Sequence, residues 1–170
     1  QGQRMCVNRR TCLGLPFLAA APSSAFASGG ATSGKTTSIP RAKLRYYGRV
    51  TTVVSDFEEL GRIIDKGDLT AIKKARATFF SDADSSGIEE LKSAGYLLAV
   101  AFKIDSKIPP QKIQQVRDHK VMLDAMTALG KACAKSPADA KTAYAAALSS
   151  LNIYLEGVEL PLTGNERYKE

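Results

Sequence analysis

The sequence predicts an all-α protein: an up-down-up-down four-helix bundle with a kinked or split second arm and an extended N-terminal segment. Apolar residues recur every three or four positions over residues 42–65, 69–104, 110–135 and 137–158, which is the spacing of one helix face. Short polar or proline-containing turns separate these segments, as in an antiparallel bundle. The 170 residues suit one domain with a tail, and we place the bundle at residues 42–160.

The first helical segment has a clear apolar stripe and a clear end. The stripe consists of Tyr47, Val50, Val54, Phe57, Gly61 and Ile64. Gly67 breaks the helix, and Asp68 is suited to cap the next one, because an aspartate side chain accepts hydrogen bonds from the free amides of a helix start. The sequence therefore predicts a short turn at these two residues.

The second segment contains a polar interruption. Its apolar face consists of Leu69, Ile72, Ala75 and Phe79 before the interruption, and of Ile88, Leu91, Gly95, Leu98 and Phe102 after it. Residues 81–87 lie between these two sets and are rich in Ser, Asp and Gly, which interrupt helices. We therefore expect this arm to be kinked or split near residues 81–87.

Prolines mark the starts of the last two segments. Pro109 and Pro110 end the second segment and permit a new helix, because proline is tolerated in a first helical turn. Ser136 followed by Pro137 is typical of an N-cap and a first helical position. The stripe of the last helix consists of Tyr144, Leu148, Leu151, Leu155 and Val158, and a polar C-terminal tail follows at residues 161–170.

Residues 1–27 have the pattern of a cleaved translocation signal. Arg9 and Arg10 precede a short apolar run, and the segment ends in Ala25, Phe26 and Ala27, whose small residues suit a signal peptidase. The arginine pair favours a twin-arginine route. We expect cleavage after Ala27 and a flexible, basic N-terminal arm over residues 28–41.

The positive charge is concentrated near the start of the predicted mature chain. Residues 35–49 carry five cations and no acid, whereas residues 50–170 carry 16 basic and 17 acidic residues. A local basic segment attracts an acidic surface, and salt weakens that attraction. Two tyrosines in the same segment could serve as aromatic anchors. The candidate partner-binding residues are Lys35, Arg41, Lys43, Arg45, Tyr46, Tyr47 and Arg49. A second basic group surrounds the Pro109 turn, is interrupted by Asp105 and Asp118, and is interpreted as a solvated turn; it consists of Lys103, Lys107, Lys112, Arg117 and Lys120.

The residue pattern argues against an enzyme, a cofactor or a metal site. The one histidine, His119, falls on an apolar stripe and is expected to be buried and hydrogen-bonded, and Cys133 is expected to be a core residue. Residues 29–36 match a phosphate-binding loop letter for letter, but no strand precedes them and no helix follows them directly. The near-neutral helical body also argues against nucleic-acid binding. No apolar run is long enough to span a membrane.

The targeting pattern, the basic arm and the four helices together resemble the PsbQ family, the extrinsic subunits of photosystem II, and in particular its PsbQ-prime and PsbQ-like members of red algae and diatoms. Local matches are residues 45–50, where a proline typical of the family is missing, residues 64–68 after the first helix, and residues 139–144 at the start of the last helix. The resemblance covers about residues 40–158.

The resemblance implies a non-catalytic protein of the plastid thylakoid lumen. Such a subunit docks on the lumenal domains of the photosystem II core and on other extrinsic subunits, peripheral to the membrane. It stabilises the oxygen-evolving complex and helps to retain calcium and chloride. Three alternatives stay open: a PsbQ-like subunit of another thylakoid complex, an exported helical-bundle adaptor, and a bundle that binds a pigment or lipid.

Overall fold

The computed structural model of the chain describes residues 38–103, 105 and 107–169, and these residues form an all-helical structure without strands. The predicted targeting signal and residues 28–37 of the predicted arm, with Lys35 and the match to a phosphate-binding loop at 29–36, lie outside the described residues. The main helices are α1 (Ile39–Lys66), α2 (Leu69–Phe79), α3 (Gly87–Glu90), α4 (Tyr96–Val100), α5 (Gln114–Ala132) and α6 (Pro137–Gly157).

Helix α1 begins three residues before the predicted bundle, so residues 39–41 of the predicted flexible arm are helical. The reason is that Pro40 stands in the first turn, where its missing amide hydrogen breaks no hydrogen bond. At the other end, Gly67 adopts a φ of 75° and its amide donates to Ile64 O. Only a residue that tolerates this left-handed backbone ends a helix in this way at low cost.

Two predicted N-caps are confirmed. The Asp68 carboxylate accepts from the amide of Thr70 at 2.8 Å at the start of α2. The Ser136 hydroxyl accepts from the amide of Asp139 at 3.1 Å at the start of α6. Each cap satisfies one of the backbone donors that a helix start leaves without a partner.

The second arm is divided at residues 80–86, and it is also irregular beyond that break. Ser86 restarts the helix, since its hydroxyl donates to Ser81 O at 2.7 Å and accepts from the amide of Glu89. A π-helical turn, Leu91–Gly95, then joins α3 to α4, and helical structure ends at Val100 instead of the predicted 104. A 3-10 turn, Pro110–Lys112, precedes α5.

The core lies between α1, the second arm and the α5 and α6 pair. Its largest fully buried side chains include Phe57, Leu60, Leu98, Met122, Met126, Leu129, Leu151 and Tyr154. Helices α5 and α6 pack along each other. Ion pairs join the start of α1 to the residues after α6 and the end of α1 to the start of α6, so α1 and α6 run antiparallel.

The C-terminal tail folds back onto α1 and α6. The amide and hydroxyl of Thr163 both donate to Asn152 Oδ1 at 2.9 Å, and the amide of Gly164 donates to Glu58 Oε1 at 2.6 Å. Tyr168 is only 2% exposed and its hydroxyl donates to Pro161 O. Burial raises the pKa of Tyr168 to about 12, with smaller contributions from Tyr47 and Glu58. The tail is therefore part of the packed structure.

Candidate docking face and groove

The first turns of α1 present an exposed basic face, which we define as Arg41, Leu44 and Arg45. These three residues share one side of the helix, since they lie three or four positions apart. Leu44 is 88% exposed, so its side chain is available for contact on this face. Within residues 38–169, neither arginine has an ion-pair partner.

Two other candidate cations form ion pairs with acidic residues of the same chain. Lys43 forms an ion pair with Glu159 beyond the end of α6. Arg49 donates to Glu90 Oε2 at 2.6 Å and to Ser93 Oγ at 3.1 Å. Because such partly exposed pairs contribute at most about 1 kcal/mol each, they position these side chains more than they stabilise the protein.

The two candidate aromatic anchors belong in part to the core. Tyr46 and Tyr47 are half-buried and pack against the buried side chains. Tyr47 also lies close enough to Tyr168 to influence the pKa of that residue. Of the six predicted partner-binding residues that the structure describes, Arg41 and Arg45 are exposed and have no ion-pair partner among the described residues.

The π-helical turn is the centre of a buried polar junction. His119 on α5 donates through Nε2 to Leu91 O at 2.8 Å, and the Tyr154 hydroxyl on α6 donates to Gly95 O at 2.8 Å. A carbonyl oxygen only accepts, so Nε2 carries the proton. The two rings meet edge to face with centroids 5.6 Å apart. The prediction that His119 is buried and hydrogen-bonded is confirmed.

Burial keeps His119 uncharged. Removal from water lowers its pKa below the usual 6.5, although the bond to the Leu91 carbonyl acts in the opposite direction. Cys133 is fully buried, as predicted, and burial raises the pKa of its thiol. A nucleophilic cysteine is typically exposed and has a lowered thiol pKa. Cys133 is buried and its thiol pKa is raised, and His119 is also buried.

A groove of about 490 Å³ lies beside this junction, between the π-helical turn and α5. Its floor contains Tyr96, Val116, His119 and Leu123, and its lining also includes Lys92, Gln111, Arg117 and Lys120. This groove was not predicted from the sequence. The only feature of the sequence that pointed to the groove was the second basic group, which contains Arg117 and Lys120. Lys92 also lines the groove but lies in a distant segment of the sequence.

A second, smaller groove of about 280 Å³ has the opposite charge. It lies between α1, α2 and the restart of the second arm, and Asp56 and Glu59 contribute to its lining. No cation lines it. Burial raises the pKa of Asp56 above its usual value. The two grooves therefore offer surfaces of opposite sign on one molecule.

Residues 38–169 lack two features that would indicate other function classes. In that part of the chain, no helix combines the length and the apolar character that a membrane span requires. Nor do three or more His, Cys, Asp or Glu side chains come together there as a set of metal ligands. Comparison of the chain with protein-family models, with curated proteins and with solved structures finds no match.

Proposed function

We propose that this protein is a non-catalytic extrinsic subunit that docks on the lumenal face of photosystem II. In this role it stabilises the oxygen-evolving complex and helps to retain calcium and chloride. The proposal rests on the resemblance of the sequence to the PsbQ family. Its finer architecture, also a proposal, is the four-helix up-down-up-down bundle, in which α2 to α4 together form the second arm.

The observation that carries the docking proposal is the basic face of α1. Arg41 and Arg45 have no acidic partner within the described residues, and the exposed Leu44 lies between them. A cationic pair around an apolar side chain is complementary to an acidic surface with a small apolar pocket. The acidic partner proposed is a lumenal loop of photosystem II.

Docking of this kind should depend on salt and on these two arginines. The first experiment is a salt wash of photosystem II particles, identification of the released proteins by mass spectrometry, and rebinding of the purified chain with a measurement of oxygen evolution. Release by salt, followed by recovery of oxygen evolution on rebinding, would support the proposal. Absence from the particles, or release from another thylakoid complex, would overturn the assignment to photosystem II.

A charge-reversed variant then tests the basic face. We expect the double substitution Arg41→Glu and Arg45→Glu to weaken rebinding several-fold at low ionic strength, because attraction becomes repulsion. The matched control is Lys73→Glu with Lys74→Glu, which makes the same change in net charge at exposed positions on α2. Equal affinities of the two variants would show that net charge, and not the basic face, governs docking.

A further inference from the structure

We propose that the groove between the π-helical turn and α5 binds a small amphipathic anion, a carboxylate on an aliphatic chain of the fatty-acid class. This inference does not rest on the proposed docking function, because it concerns another surface and can be tested on the isolated protein. It rests on the size of the groove, on the separation of its apolar and charged parts, and on the contrast with the acidic groove.

The size and floor of the groove suit an apolar chain. Its volume of about 490 Å³ lies within the range of roughly 300–1,000 Å³ that is typical of small-molecule sites. Val116 and Leu123 provide aliphatic surface, and Tyr96 provides an aromatic ring that is 38% exposed. His119 adds a neutral ring, which the Leu91 carbonyl holds in place. The floor therefore carries no formal charge.

The cations along the groove suit a carboxylate head. Lys92, Arg117 and Lys120 line the groove, and no acidic residue does. Lys92 also pairs with Glu89 at 2.6 Å, and Arg117 donates to the neutral amide oxygen of Gln114. Lys120 has no ion-pair partner within residues 38–169. An anionic head at this position meets two cations, Arg117 and Lys120, whose charge is not neutralised by an acid within hydrogen-bond distance.

A small molecule fits this site better than a protein segment does. A stable protein interface covers about 800 Å² on each partner, which is far more than a few partly buried side chains offer. Arg117 and Lys120 lie three positions apart on α5 and both line the groove, so the two charges stand within one helical turn of each other instead of following an extended chain. An apolar floor with convergent polar groups is the arrangement typical of a ligand site.

The binding experiment is an NMR titration of the ¹⁵N-labelled protein with dodecanoate below its micelle-forming concentration. We expect saturable changes at the amides of residues 91–96 and 114–123 and at the His119 ring. Acetate supplies the head without the chain, and dodecyltrimethylammonium supplies the chain with the opposite charge. Acetate should not bind measurably, and the cation should instead perturb residues around Asp56 and Glu59. Equal binding of all three probes, or no saturable change with dodecanoate, would overturn the proposal.

A pair of variants locates the head. We expect Arg117→Glu with Lys120→Glu to weaken dodecanoate binding at least roughly tenfold, since a charge-assisted contact is worth about 1.5–3 kcal/mol. The control, Lys131→Glu with Lys135→Glu, makes the same charge change at exposed positions outside the groove and should bind as the wild type does. Circular dichroism verifies that both variants fold. A similar loss of dodecanoate affinity in both variants would contradict the proposed ligand class. Binding of an acidic peptide in the groove in place of dodecanoate would contradict it as well.

Discussion

Tyr144 and Tyr154 lie on the same helix, α6, but they join it to different neighbours by different interactions. The Tyr154 hydroxyl is fully buried and donates a 2.8 Å hydrogen bond to Gly95 O in the π-helical turn. Tyr144 stacks on Phe57 of α1 with ring centroids 4.7 Å apart, and its hydroxyl lies 3.4 Å from Phe57 O, a long contact. A hydrogen bond from Tyr154 therefore joins α6 to the π-helical turn, whereas ring packing of Tyr144 joins α6 to α1.

The difference shows how one residue type serves two kinds of neighbour. At the second arm, Tyr154 and His119 both donate to carbonyls of the π-helical turn, and burial makes the loss of such a bond costly. At α1, the Tyr144 hydroxyl makes only a long contact, so this tyrosine contributes mainly ring surface. The same residue type therefore serves as a buried donor at one end of α6 and as a packing surface at the other.

The largest effect is expected from removing the two hydroxyls separately. Tyr154→Phe should lower the free energy of unfolding by about 2 kcal/mol, because it removes the side-chain donor to a buried carbonyl. Tyr144→Phe should lower it by less than about 0.5 kcal/mol, because its bond is long and half-exposed. Urea denaturation of both variants measures the contrast. Equal losses would show that the two junctions do not differ in kind.

A methyl group at Gly61 probes the packed junction by displacing the Tyr144 ring, and the only hydrogen bond it disturbs is the long one from the Tyr144 hydroxyl to Phe57 O. A Cβ there would overlap the Tyr144 ring, which would have to leave its position on Phe57. We expect Gly61→Ala to lower stability by about 1–2 kcal/mol in total, since overpacking outweighs the helix propensity gained. Gly48→Ala is the control: no atom lies within 4 Å of its Cβ position, so it should raise stability by about 0.5–1 kcal/mol. A gain in both variants would mean that Tyr144 moves without cost.

The smallest effect is the contribution of His119, in the polar junction, to the pH dependence of the free energy of unfolding. Burial lowers the pKa of His119, so below about pH 6.5 the unfolded chain binds a proton that the folded protein does not. Stability should therefore fall as the pH falls through this value, with a slope of at most about 1.4 kcal/mol per pH unit. His119→Gln should flatten the curve between about pH 7 and 5.5, where no other histidine titrates. An unchanged slope in the variant would contradict this account.

Local signals in the sequence were sufficient for several features of the fold. The caps at Asp68 and Ser136 were predictable because a cap depends on a few neighbouring residues. The break near residues 81–87 followed from composition, and the burial of His119 followed from its place on an apolar stripe. Each of these predictions needed only the residue types and spacing within one short stretch of sequence.

Features that depend on distant residues could not be predicted in the same way. The pairing of Lys43 with Glu159 and of Arg49 with Glu90 joins positions 116 and 41 residues apart, so two predicted docking cations are engaged within the fold. The bonds from His119 and Tyr154 to carbonyls of the π-helical turn likewise join residues that are 28 and 59 positions apart. The polar sequence of the tail gave no indication that Tyr168 would be buried against distant parts of the chain, as it is.

The return of the tail also constrains the order in which the chain can complete its structure during synthesis. The amide of Gly164 bonds to Glu58, which precedes it by 106 residues. A ribosome releases residues from the N-terminus onward, so α1 emerges long before the segment that covers it. Until that segment arrives, the surface of α1 near Glu58 stays open to water. The contact between Gly164 and Glu58 joins residues far apart in the sequence, so it forms later than contacts within one helix, because the chain between the two residues must first become ordered.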